Sequence, residues 1–132
     1  MNLVSIRIIS ADVRRLVDFY ARVLGIEPRW ATDDFAEFLT PSGTLALASE
    51  GTLALFGTDV ASAADNHSAI IEFRVEDVDA EFIRLESAVH DVVQAPTTMP
   101  WGNRSLLLRD PAGNLVNFFT PLTADAIERQ KR

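Results

Sequence analysis

The feature that most limits what this chain can fold into is that it repeats itself. Asp12-Val13 opens a helical pattern behind the apolar run Val4–Ile9, and Asp77-Val78 opens another behind Ala69–Val75, an offset of 65 positions. Further on, Thr40-Pro41-Ser42-Gly43-Thr44-Leu45 matches Asp110-Pro111-Ala112-Gly113-Asn114-Leu115 at an offset of 70, which leaves five extra residues in the second half between helix and turn. A repeat of this length marks two copies of one supersecondary unit, neither of which buries its apolar surface alone.

Each matched piece has a local reading. Val4-Ser5-Ile6-Arg7-Ile8-Ile9 alternates with period two, as a half-buried strand does. Asp12 is placed to cap the following helix, on which Leu16, Phe19, Tyr20, Val23 and Leu24 form one apolar face, and Gly25 is placed to end it. Val78, Phe82 and Leu85 repeat that face in the second half. Asp-Pro-Ala-Gly signals a tight turn, so Leu106–Leu108 and Leu115–Phe119 read as a hairpin, as do Phe35–Leu39 and Thr44–Ser49, with Leu53–Phe56 a further short strand or bridge. Each half thus reads strand, helix, then two or three strands in a meander, and the predicted fold is α+β: the paired halves form a curved sheet with helices on its convex side and a ligand cup on its concave side. The expected organisation is one domain over 1–132, with module 1 at about 1–60, module 2 at about 67–122 and a tail over 123–132.

Composition narrows the function. The 132 residues contain no cysteine, which excludes disulfides, thiolate metal sites and a cysteine nucleophile. The net charge is −7, and the 12 cationic residues are scattered apart from Arg129, Lys131 and Arg132. An acidic chain without a basic stripe argues against nucleic-acid binding; acidity serves solubility and also suits a cationic ligand. Polar residues from Ser10 onward interrupt the N-terminal apolar run, and no run approaches the ~20 apolar residues of a membrane span. A cytoplasmic protein that touches no membrane is expected. No Ser-His-Asp grouping or phosphate loop is present, and Asp33-Asp34 reads as an acidic loop.

The stretches Asp12–Gly25, Val75–Ala80 and Trp101–Leu115 resemble the vicinal oxygen chelate superfamily of glyoxalase I, extradiol dioxygenases and bleomycin-resistance proteins, and together they span nearly the whole chain. The resemblance implies paired βαβββ modules and a homodimer whose cups are often completed by the partner chain. It also implies a divalent metal at four equivalent strand positions, commonly filled by histidine, glutamine and glutamate. One such position lies seven residues before the helix-opening aspartate, here Ser5 and Ile70; the other lies four residues after the turn glycine, here Leu47 and Asn117. None of these is a usual ligand for zinc, nickel or iron. His67 would reach a ligand position only through a three-residue slip that breaks the helix spacing, and His90 reads as loop. No metal and no cofactor are therefore expected.

Strand alternation then assigns Ser5, Arg7, Leu47, Ile70, Glu72, Asn117 and Phe119 to the cup. Arg7 and Glu72 are repeat mates, suited either to an ion pair on the cavity floor or to orienting a ligand. Trp101 and Phe38, with Trp30, are aromatic candidates for stacking on a planar ligand, against the plainer roles of packing or dimer contact. Beside a regulatory or structural dimer with a vestigial cavity, two functional classes follow. One is a metal-independent binding protein that sequesters an antibiotic or aromatic metabolite, as metal-free bleomycin-resistance proteins do. The other is a lyase, isomerase or dioxygenase of the glyoxalase type, metal-dependent or using Glu72 as a base.

Overall fold

The computed structural model describes residues 1–131. Contacts divide it into two compact units, Met1–Asn66 with Pro111–Gly113, and His67–Asp110 with Asn114–Arg132. The first contains β1 (Ser5–Ser10), α1 (Val13–Leu24), β2 (Arg29–Thr32), β3 (Phe35–Leu39) and β4 (Thr44–Ser49). The second contains β5 (Ile70–Arg74), α2 (Val78–Leu85), β6 (Val92–Thr98), β7 (Asn103–Arg109), β8 (Leu115–Pro121) and α3 (Ala124–Arg129). Each module is thus βαβββ with its own four-stranded mixed sheet, ordered β1-β4-β3-β2 and β5-β8-β7-β6.

The ends of the repeated elements form as their residues dictate. The Asp12 side chain accepts from the Arg15 amide, and the Asp77 side chain accepts from the amides of Asp79 and Ala80. Each caps donors that the first turn of a helix leaves unpaired. Gly25 ends α1 at φ 63°, with its amide bonded to the Ala21 carbonyl. Between the caps, α1 buries Leu16, Val17, Tyr20 and Val23 against its sheet, and the Tyr20 ring lies 6.3 Å from that of Phe38. In the second module Val78 and Leu85 of α2 are buried, and Phe73 stacks on Phe118 at 5.4 Å beneath it. Arg104 of β7 grips Asp79 in the first turn of α2 with two hydrogen bonds of 2.8 and 3.0 Å. That guanidinium holds the Asp79 carboxyl below the usual carboxylate range.

Two expectations are corrected. Leu53–Phe56 is not a strand: Glu50–Leu55 forms a 3₁₀ helix, and its apolar side chains do not enter the core. The stretch 123–132 is not simply a tail, because Thr123 caps α3 through the Ala126 amide and Ala126 is fully buried. β2 and β6 complete the meanders, and both carry register irregularities.

The link between α3 and the β6–β7 turn is tight. The Gly102 carbonyl accepts from the Leu122 amide at 2.9 Å, and the Trp101 carbonyl accepts from the Arg129 guanidinium. Gly102 sits at φ +94°, where a Cβ would lie 2.1 Å from the Thr123 hydroxyl oxygen. Gly102→Ala should therefore disturb both the turn and the α3 cap, a loss of about 2–4 kcal/mol in urea melts. The loss should be smaller in a Thr123→Ala background, since the obstructing hydroxyl is gone. Equal losses in both backgrounds would show that the clash is relieved elsewhere.

Candidate functional site

In a β-sheet, residues directly opposite one another share a face, so the strand ladders decide which side chains α1 and α2 cover. In the second module β5 runs parallel to β8 with Ile71 opposite Val116, Glu72 opposite Asn117 and Phe73 opposite Phe118. Arg104, Leu106 and Leu108 of β7 share the Val116–Phe118 face, and Arg104 reaches Asp79 of α2, so that is the helix-covered face. The helix-free face therefore carries Ile70, Glu72 and Arg74 from β5, Leu115, Asn117 and Phe119 from β8, and Asn103, Ser105 and Leu107 from β7. The expected residues Ile70, Glu72, Asn117 and Phe119 are indeed on one face.

The first module differs. β1 runs parallel to β4 with Ser5 opposite Thr44, Arg7 opposite Ala46 and Ile8 opposite Leu47. Phe38 and Ala36 of β3 lie opposite Leu45 and Leu47, and Phe38 packs on Tyr20 of α1. Leu47 and Phe38 thus point into the core under α1 and are fully buried; neither belongs with Ser5 and Arg7. The cause is one residue. The first hairpin closes with the Thr40 amide on the Gly43 carbonyl, whereas the second closes one residue later, with the Asp110 amide on the Asn114 carbonyl. Asp110 accepts from the Asn114 amide at 2.9 Å and from its side chain at 2.7 Å, so Asn114 belongs to the turn while Thr44 is already strand. A one-residue slip moves every side chain to the opposite face. The mate of Asn117 is Ala46, not Leu47.

The remaining candidates are placed as follows. The Arg7 guanidinium lies over the Phe35 ring, 4.9 Å from its centroid, and Phe35 is a contact that sequence reasoning did not single out. Next to it Glu37 pairs with Arg29 at 3.3 Å. Arg7 and Glu72 each find a partner within their own module, Glu72 by accepting from the Asn117 side-chain nitrogen at 2.8 Å. Trp101 stands in the β6–β7 turn and is 57% exposed. Trp30 lies opposite Ala36, under the Arg14 guanidinium of α1, and so belongs to the helix-covered side.

The donor set does not fit a divalent metal. Ser5, Ile70 and Asn117 occupy three of the four equivalent positions, and the register replaces Leu47 at the fourth with Ala46, which has no donor atom. Asn117 directs its amide nitrogen, a donor rather than a ligand, at the one nearby carboxylate. Among the described residues, no three His, Asp or Glu side chains are grouped as a metal site. Such sites need several anionic or imidazole ligands converging on one point.

The architecture defines a protein of two βαβββ modules, each with a mixed sheet covered by a helix on one face. The chain belongs to the Glyoxalase/Bleomycin resistance protein/Dioxygenase superfamily, whose model matches residues 2–118. A solved structure described as a conserved domain protein is 31% identical, with a TM-score of 0.73, over 92% of this chain and 99% of that one. TioX from Micromonospora sp. ML1 is 28% identical with a TM-score of 0.70, over 92% of this chain and all of its own. The "Uncharacterized protein YraH" of Bacillus subtilis (strain 168) is 27% identical over 92% of this chain and its own full length. No helix among the described residues is long and apolar enough to cross a membrane.

The two faces can be told apart by substitution. Leu47→Asn should cost about 3–5 kcal/mol, through lost packing and a buried, unsatisfied amide. Ile70→Asn, at a half-exposed site, should change stability by no more than about 0.5 kcal/mol. Urea melts compare them directly, and a Leu47→Asn cost as small as that of Ile70→Asn would return Leu47 to the helix-free face.

Proposed function

We propose that this chain binds a small organic molecule without a metal ion, in the manner of a bleomycin-resistance protein, and sequesters an antibiotic or aromatic metabolite in the cytoplasm. The observation that carries the reading is the donor set. A family frame that spans the chain is retained, yet the four equivalent positions hold Ser5, Ala46, Ile70 and Asn117. Lewis-acid catalysis needs a metal held with open coordination positions, and these side chains do not hold one. What the helix-free faces carry instead is apolar and aromatic side chains with a few polar groups: Leu107, Glu72 and the nearly buried Phe119 and Asn117 in the second module, and Arg7 on Phe35 in the first. Pockets for small molecules have this composition.

The test combines elemental analysis with a ligand-library thermal-shift screen. Purified protein should carry no stoichiometric zinc, nickel, iron or manganese, and EDTA should leave Tm unchanged. Aromatic library members should raise Tm in proportion to the logarithm of their concentration once it exceeds Kd. About one metal per chain, lost on chelation together with stability, would overturn the proposal. Turnover of a library member, abolished by Glu72→Gln, would convert the reading to a metal-free enzyme with Glu72 as base.

We further propose a homodimer. The superfamily supports it, as does the exposure of Leu55 and Phe56 beyond the first sheet, 96% and 62% respectively. Static light scattering at micromolar concentration should return twice the mass of one chain; the mass of a single chain across that range would count against it.

A further inference from the structure

The helix-free face of the second sheet holds two hydrogen-bond acceptors without partners. Two buried side-chain polar atoms among the described residues lack a partner, the Oδ1 atoms of Asn103 and Asn117. Both residues lie on this one face, Asn117 on β8 opposite Leu107 and Asn103 at the far end of β7 opposite Pro121, with Ser105, itself 4% exposed, next to Asn103 on that face. Asn117 is 8% exposed, so its amide is almost wholly withdrawn from water. An acceptor left in that state costs stability unless something compensates for it.

The other end of the same amide has a clear task. Nδ2 donates to Glu72 Oε2 at 2.8 Å, across the β5–β8 ladder. Glu72 is exposed and takes part in none of the ion pairs among the described residues. Its carboxylate therefore stands fixed in direction by Asn117 with its remaining lone pairs unclaimed by an ion pair. Arg74, the cation on the same strand face, lies two residues further on, opposite Phe119. Two acceptors side by side, the Asn117 carbonyl and the Glu72 carboxylate, favour a group that brings N–H donors and positive charge. An anionic or aprotic group would add to the deficit. The chain's net charge of −7 works in the same direction.

We propose that Glu72 is the contact for a cationic N–H donor, an ammonium or amidinium group of the ligand, and that Asn117 is a positioning residue that holds its carboxylate while leaving its own carbonyl unsatisfied. This rests on the small-molecule reading above and assigns the chemical class of the ligand. Asn117 then trades stability for binding, a pattern expected where a polar group is kept for function.

The probes are benzamidine, its neutral isostere benzamide and its anionic counterpart benzoate, titrated into the ¹⁵N-labelled full chain. Benzamidine should shift the side-chain amide resonances of Asn117 and saturate, and benzamide and benzoate should not. Glu72→Gln should weaken benzamidine by about tenfold, the difference between a charge-assisted and a neutral hydrogen bond. Asn117→Leu should weaken it several-fold while raising Tm by a few degrees, because a buried unsatisfied acceptor is removed and the exposed Glu72 carboxylate finds water instead. Reduced affinity in a more stable protein separates positioning from damage to the fold. Benzamide or benzoate binding as well as benzamidine, undiminished affinity in Glu72→Gln, a lowered Tm in Asn117→Leu, or no response to any of the three probes would each overturn the assignment. The small-molecule reading fails separately, if the library screen yields no ligand of any charge.

Discussion

Everything about this molecule's candidate site depends on the pairing of the first and last strand of each module. β1 lies parallel to β4, and β5 parallel to β8, each pair joined through a helix and a meander. A parallel pair needs a crossover to return the chain, and the crossover helix covers one face of the sheet. The opposite face is left free of that helix, and the register of two strands decides which side chains it carries. Arg7 meets Ala46 in one module and Glu72 meets Asn117 in the other. The two modules have the same architecture, yet they present unlike faces: a cation on an aromatic ring in the first, a carboxylate held by an amide in the second.

That asymmetry bears on function. The two copies of the repeat carry different side chains on the faces turned from their helices. The first has small side chains, Thr44, Ala46 and Ala48, where its last strand faces away from α1. The second carries Glu72 and Asn117 opposite one another. Asn117 points a donor at Glu72, so the amide and the carboxylate satisfy each other in part instead of converging on a cation between them. It is this pair of acceptors that motivates the proposal of an organic N–H donor as the ligand.

Much of the fold was legible because the signals were local. Asp12 and Asp77 cap helices through their own side chains, Gly25 supplies the positive φ that ends α1, and Leu16, Tyr20 and Val23 recur at helical spacing, so α1 and the start of α2 follow from short-range chemistry. The 3₁₀ helix at Glu50–Leu55 was not legible, since a short apolar stretch reads equally as strand. The placement of Leu47 and Phe38 was misread because Leu45, Ala46, Leu47 and Ala48 are apolar throughout and all buried. In such a strand, alternation carries no information about facing. The remaining clue was Asn114, whose side chain and amide both bond to Asp110 and hold it in the turn.

The sequence by itself determined the two-copy βαβββ plan, the helix caps and the hairpins. These depend on residue type and on contacts within a few positions, which repeats and periodicity expose. Only the tertiary structure decided which face each strand turns from its helix, that Ala46 and not Leu47 is the mate of Asn117, and that Asn117 spends its donor on Glu72 while its carbonyl goes without. Facing has a period of two, so one extra turn residue reverses it. A hydrogen bond between residues 45 positions apart exists only once the β5–β8 ladder has brought them together.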